Sequence, residues 1–115
     1  MSVKTDHDYL RDMLQYAEDA QAVVAGRSED EMLSDLPFRY ALQYCLLVVG
    51  EAASEVSDAT QEKLPNVPWR QIIGMRNWLV HGYSVIRTET LWETAIRDLP
   101  VLVEEIMNYL PPEHT

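Results

Sequence analysis

Apolar residues recur along the chain at the spacing of one helix face, and no strand-type alternation survives beyond a few residues. In the first segment they are Tyr9/Leu10, Met13/Leu14, Ala17 and Val24, predicting a helix from about Asp6 to Ala25 that Gly26 stops. "SEDE", Ser28 to Glu31, reads as a capping box opening a short helical turn. Pro37 stands near the start of a long second helix, strongly apolar and expected to reach about Ala59. Its "VVGEAASEV" groups Gly50, Ala52 and Ala53, small residues that let another helix come close. "QEKLPNVPW" is a linker with two prolines. Pro68 opens a third helix, capped from Asn66 or Val67 and ended by Gly82. That helix carries Trp69, Ile72, Ile73, Met75, Trp78, Leu79 and Val80. Thr88 caps a fourth helix to about Leu110, which Pro100 should kink or split near Leu99. The pattern predicts an all-α bundle of four to five helices in a single domain over 1–115. Its ordered part runs from about 6 to 110, and 111–115 form a frayed tail.

Composition adds limits. With 115 residues, 47% of them hydrophobic, the chain can build a core without disulfides. Its one cysteine, Cys45, lies in an apolar run and reads as a small buried hydrophobe in a reducing compartment. "MSVKTDHDYLRDM" lacks the apolar core of a secretory signal, and the apolar run around Ala41 to Gly50 is too short to span a bilayer. A soluble, cytoplasmic protein with no membrane association is expected.

The net charge of −10 argues at first against nucleic acid. Its distribution changes that reading. From Lys63 to Thr88 there is no Asp or Glu, while Lys63, Arg70, Arg76 and Arg87 are all basic. Such an island can hold a phosphate backbone locally but binds long duplexes poorly; no DNA partner is expected.

Inside the island lies "MRNWLVHGY", which spaces Arg76, His81 and Tyr83 as Arg-x-x-x-x-His-x-Tyr, with Asn77 after the arginine. Chance produces that three-residue pattern about 0.01 times in a chain of this composition. On a helix Asn77 and His81 are stacked neighbours, and the long Arg76 side chain can swing to the same edge. His81 falls in the last turn, where free carbonyls favour a cation. The chemistry that fits is RNA cleavage without a metal. His81 would move a proton at the ribose 2′-hydroxyl or the leaving 5′-oxygen, Arg76 would grip the phosphate, and Asn77 would orient either. His7, His81 and His114 are far apart in sequence, so no metal site and no cofactor is expected. Glu51, in the apolar second helix, is a candidate buried partner for Arg76, expected as structural support rather than as a catalytic base. Arg70 and Arg87 are further candidates for RNA binding. One chain supplies one histidine to the site, so separate acid and base groups would be easier if two chains met. By residue type alone, however, a histidine at a helix end beside an arginine is more often a structural group than a catalytic one.

Resemblance reverses that order. The stretches "VVGEAASEVS", "LPNVPWRQIIGMRNWLVHGY" and "LWETAIRDLPVLVEEI" resemble the HepT-like toxins of the HEPN superfamily over nearly the whole chain. The resemblance implies a homodimeric HEPN bundle whose arginine and histidine, here Arg76 and His81, line a cleft between subunits and cleave RNA without a metal. It further implies a toxin–antitoxin pair of type II or VII character. In it a cognate minimal nucleotidyltransferase antitoxin attaches AMP to the motif tyrosine, here Tyr83. The alternatives are a non-catalytic HEPN module that binds nucleotide or scaffolds a nucleotidyltransferase, and a plain helical dimer.

Overall fold

The structure, a computed structural model, describes residues 3–81 and 87–112. Its helices are α1 (Asp6–Val24), α2 (Glu31–Ser34), α3 (Leu36–Glu55), α4 (Asp58–Lys63), α5 (Trp69–His81), α6 (Thr88–Glu93) and α7 (Leu99–Tyr109). A π-helical turn at Thr94–Asp98 joins α6 to α7. No strand occurs among the described residues. The principal helices are α1, α3, α5 and the continuous α6–α7 run, so the fold is the all-α bundle that the periodicity predicts.

Thr5 starts α1. Its hydroxyl accepts the Asp8 N–H, and the Asp8 carboxylate accepts the Thr5 N–H in return. The helix buries Leu10, Met13, Ala17, Ala20 and Val24, spaced by three and four so that one stripe faces inward. Gly26 then turns the chain at φ 71°, a conformation that a Cβ would disfavour. α3 lies between α1 and α5 and buries Leu42, Leu46, Val49 and Ala53. α7 packs its buried Leu99, Leu102 and Ile106 against α1. α4 folds back on the end of α3, where the Gln61 side-chain amide donates to the Val56 carbonyl at 3.1 Å. α5 therefore begins beside the C-terminal end of α3 and runs back along it. None of these helices is long and apolar enough to cross a membrane.

Several element ends differ from the sequence expectation. The second long helix stops at Glu55, not near Ala59, because Ser57 caps a separate α4 by accepting the Thr60 N–H at 3.3 Å. Ser57 is itself held by Asp6 of α1, at 2.5 Å to its hydroxyl and 3.1 Å to its N–H. No local pattern in α3 announces a partner 51 residues away. The expected box at Ser28 and Glu31 lacks its reciprocal side-chain-to-backbone bonds, since the Glu31 carboxylate pairs with Arg27. The Arg27 guanidinium also reaches Asp35 and lies 4.2 Å from the Phe38 ring centroid, locking the entry to α3. Neither Asn66 nor Val67 caps α5. Pro68 offers its carbonyl to the Ile72 N–H, and the Asn66 amide donates to Glu105 instead. Thr88 is the first residue of α6, and the cap position falls to Arg87. The break expected near Leu99 takes the form of the π turn. The Leu99 N–H reaches back five residues to the Thr94 carbonyl, and the helical run continues through Pro100. The wider turn accommodates a proline ring that would clash with a carbonyl four residues back in a regular α-helix.

Candidate functional site

The motif helix sits unusually close to α3 at one point. A Cβ built on Gly50 would lie 2.2 Å from the Arg76 Cβ and 3.1 Å from the Ile72 carbonyl oxygen. Only a missing side chain lets the two backbones approach there. Gly50, Ala52 and Ala53 are all buried within this chain. Gly50 is therefore closed by α5 of the same molecule, and the buried small-residue patch is not free to receive a second one.

That contact places Arg76 across α3. Its Nε donates to Glu51 Oε1 at 2.6 Å, and one terminal guanidinium nitrogen donates to Asn77 Oδ1 at 2.8 Å. The guanidinium thus leans toward the Asn77 edge. Glu51 is half exposed, at 50%, so the buried partner expected from the apolar helix is a surface carboxylate. A pair this open to solvent contributes about 0–1 kcal/mol, and orientation is its main effect. Two of the five guanidinium N–H groups are engaged, leaving three for an incoming anion.

Asn77 and His81 are exposed, and His81 is the last residue of α5. At 100° per residue, Arg70, Gly74, Asn77 and His81 share one stripe, and all four are exposed. Arg70 lies about 16 Å along the axis from His81. Arg87 is exposed just before α6. The structure therefore brings Arg76, Asn77 and Glu51 into direct contact, sets His81 one turn beyond Asn77, and leaves Arg70 at the far end of the stripe. Tyr83 and Gly82 lie outside the described residues. Among the described residues no group of three or more His, Cys, Asp or Glu side chains is placed to hold a metal ion.

A groove beside the motif was not visible in the sequence. It measures about 410 Å³ and runs between α5, from Gln71 to Trp78, and the face of α6 and the π turn that carries Thr90, Glu93, Arg97 and Asp98. Gly74 opens its α5 wall, because a Cβ there would meet nothing within 4 Å. Burial pushes the Asp98 carboxyl above the usual aspartate value, with Arg97 opposing and Glu93 reinforcing the shift. The one sequence signal was Gly74 itself, a glycine inside a helix with no turn to make.

The family description "Ribonuclease HepT-like" matches residues 13–109. Among curated proteins, "Putative RNase MJ1216" of Methanocaldococcus jannaschii is 32% identical over 97 residues, covering 84% of this chain and 80% of its own. "Putative RNase TTE0752" of Caldanaerobacter subterraneus subsp. tengcongensis is 32% identical over 111 residues, 96% of this chain and 99% of its own. "Probable ribonuclease HepT" of Thermococcus cleftensis is 29% identical over 101 residues, 87% and 92% of the two chains. No solved structure matches.

Proposed function

The chain belongs to the HepT-like ribonuclease family of the HEPN superfamily, and from that premise we propose that it is the toxin of a toxin–antitoxin pair, a metal-independent endoribonuclease acting on cytoplasmic RNA. The observation that carries this reading is the Arg76–Asn77–Glu51 constellation one turn before an exposed His81. It is an anion grip and a proton-transfer group on one helix, inside a stretch without carboxylates from Lys63 to Thr88.

The reaction is a transesterification. The ribose 2′-oxygen attacks the adjacent phosphorus and gives up its proton. The P–O bond to the 5′-oxygen breaks, and that oxygen takes up a proton. The products are a 2′,3′-cyclic phosphate and a 5′-hydroxyl. Arg76 stabilises the extra charge on the pentacoordinate phosphorus through the N–H groups that Glu51 and Asn77 leave free. His81 serves as the base or the acid, and the His81 of a second chain in a homodimer serves as the other. The dimer rests on this chemical need and on the exposed Asn77–His81 edge. Arg70 and Arg87 hold flanking phosphates.

Control falls to Tyr83. Its hydroxyl oxygen attacks the α-phosphorus of ATP on a minimal nucleotidyltransferase antitoxin, pyrophosphate leaves, and AMP stays on the tyrosine. The negative charge that AMP adds to the motif then repels RNA. Purified protein should cleave single-stranded RNA in EDTA and stop after incubation with antitoxin, Mg²⁺ and ATP. Intact mass should rise by adenylate in the wild type and not in Tyr83→Phe. Loss of cleavage in EDTA with rescue by added metal overturns the metal-free reading. Equal modification of Tyr83→Phe overturns the switch, and a stable, fully active monomer in sedimentation overturns the shared site.

A further inference from the structure

We propose that the groove between α5 and the π turn is a subsite for a guanine base of the RNA strand that crosses the Arg76–His81 edge, a proposal that rests on the ribonuclease reading. Place is the first support. Trp78 lies in the groove wall and is an i,i+3 neighbour of His81, while Gly74 stands at the same spacing from Asn77. A nucleotide whose phosphate sits on that edge has its base within reach of the groove. Size is the second. About 410 Å³ falls in the range of small-molecule sites and accommodates a purine. The absent Cβ at Gly74 keeps the wall open on the side of the edge.

Chemistry selects the base. The half-buried Trp78 offers a stacking face. Asp98 offers two acceptor oxygens in a partly dehydrated position, and guanine alone presents two adjacent donors, N1–H and N2–H, to a carboxylate. Gln71 and Arg97 supply donors for its O6 and N7. Uracil sets a carbonyl on each side of its single N–H, and a carboxylate repels both. Adenine and cytosine place an acceptor beside their amino group, which an amide matches better than a carboxylate.

Two measurements test this on the full chain. Tryptophan fluorescence is titrated with GMP, AMP, CMP and UMP, with Trp78→Phe identifying the reporter. Cleavage products of a single-stranded RNA with randomised positions are sequenced beside it. The expected result is GMP binding about tenfold tighter than UMP, with guanine enriched at one fixed position from the cut. Asp98→Asn should move both preferences toward adenine or cytosine, and Gly74→Leu, on an exposed helix position, should keep the fold and abolish them. If no RNA is cut while the GMP preference and its Asp98→Asn shift persist, the pocket chemistry stands and the ribonuclease reading falls. If RNA is cut with the same base pattern by wild type and Asp98→Asn, the subsite falls and the ribonuclease reading stands. GMP binding without guanine enrichment at the cut overturns the assignment to the RNA strand. No nucleotide binding, with Gly74→Leu altering the oligomeric state, also overturns the proposal, because a second chain then fills the groove.

Discussion

Two glycines on opposite sides of the α5 contact have opposite meanings. Gly50 is a close-approach residue, so Gly50→Ala forces the α3 and α5 backbones apart at the Arg76 Cβ and the Ile72 carbonyl. Overpacking of this kind costs about 1–3 kcal/mol, and it also moves Arg76 off Glu51. Urea denaturation should show the loss, together with RNA cleavage falling well below wild type. Gly74 faces open space, so Gly74→Ala should instead stabilise the helix by roughly 0.5–1 kcal/mol. A destabilised Gly74→Ala would mean that this face is covered. Glu51 makes a third case. Since its pair with Arg76 is exposed, Glu51→Gln should shift stability by less than about 1 kcal/mol. It should nonetheless reduce cleavage through a less ordered guanidinium, raising the KM for RNA more than it lowers kcat. An unchanged rate would reduce Glu51 to a surface charge.

At the scale of elements, the helices and the outer ends of the first and last were legible, and several inner ends were not. The inward stripe of α1 repeats at three and four residues and could be read directly. The division of α3 from α4 could not, because it depends on Asp6 reaching the Ser57 hydroxyl and N–H and the Thr60 hydroxyl across the bundle. Removing the cap with Ser57→Ala should cost about 1 kcal/mol. The same junction predicts a pH dependence. Hydrogen bonds from the Ser57 and Thr60 hydroxyls and the Ser57 N–H hold the Asp6 carboxyl below its ordinary value. Asp8, bonded by Thr5, and Asp35, bonded by Phe38 N–H and Arg27, are lowered as well. A carboxyl depressed in the folded state stabilises above its unfolded value of about 4, and that stability is lost as pH falls through the folded value. Melting temperatures should therefore drop between pH 5 and 3, by less in Asp6→Asn than in wild type.

Across the whole molecule, the sequence carried the bundle, the motif and the Arg76–Glu51 contact. What it hid was three-dimensional: which partner the small residues of α3 serve, how exposed Glu51 is, and a groove whose walls lie some twenty residues apart in the chain. The chain as a whole is acidic, and its carboxylate-free stretch is the motif helix with its flanks. RNA should therefore engage that helix and leave the acidic faces of α1 and α7 bare. The most direct measurement is cleavage of a single-stranded RNA in EDTA by wild type, Arg76→Ala and His81→Ala, each shown by circular dichroism to be folded. Loss of an acid–base group lowers rates by about 10²–10⁴ and loss of a donor that stabilises transition-state charge by about 10²–10³, so both variants should fall by at least 100-fold, and the wild type should leave 2′,3′-cyclic phosphate ends. Folded variants that cut RNA as fast as wild type would contradict the assignment of the reaction to Arg76 and His81.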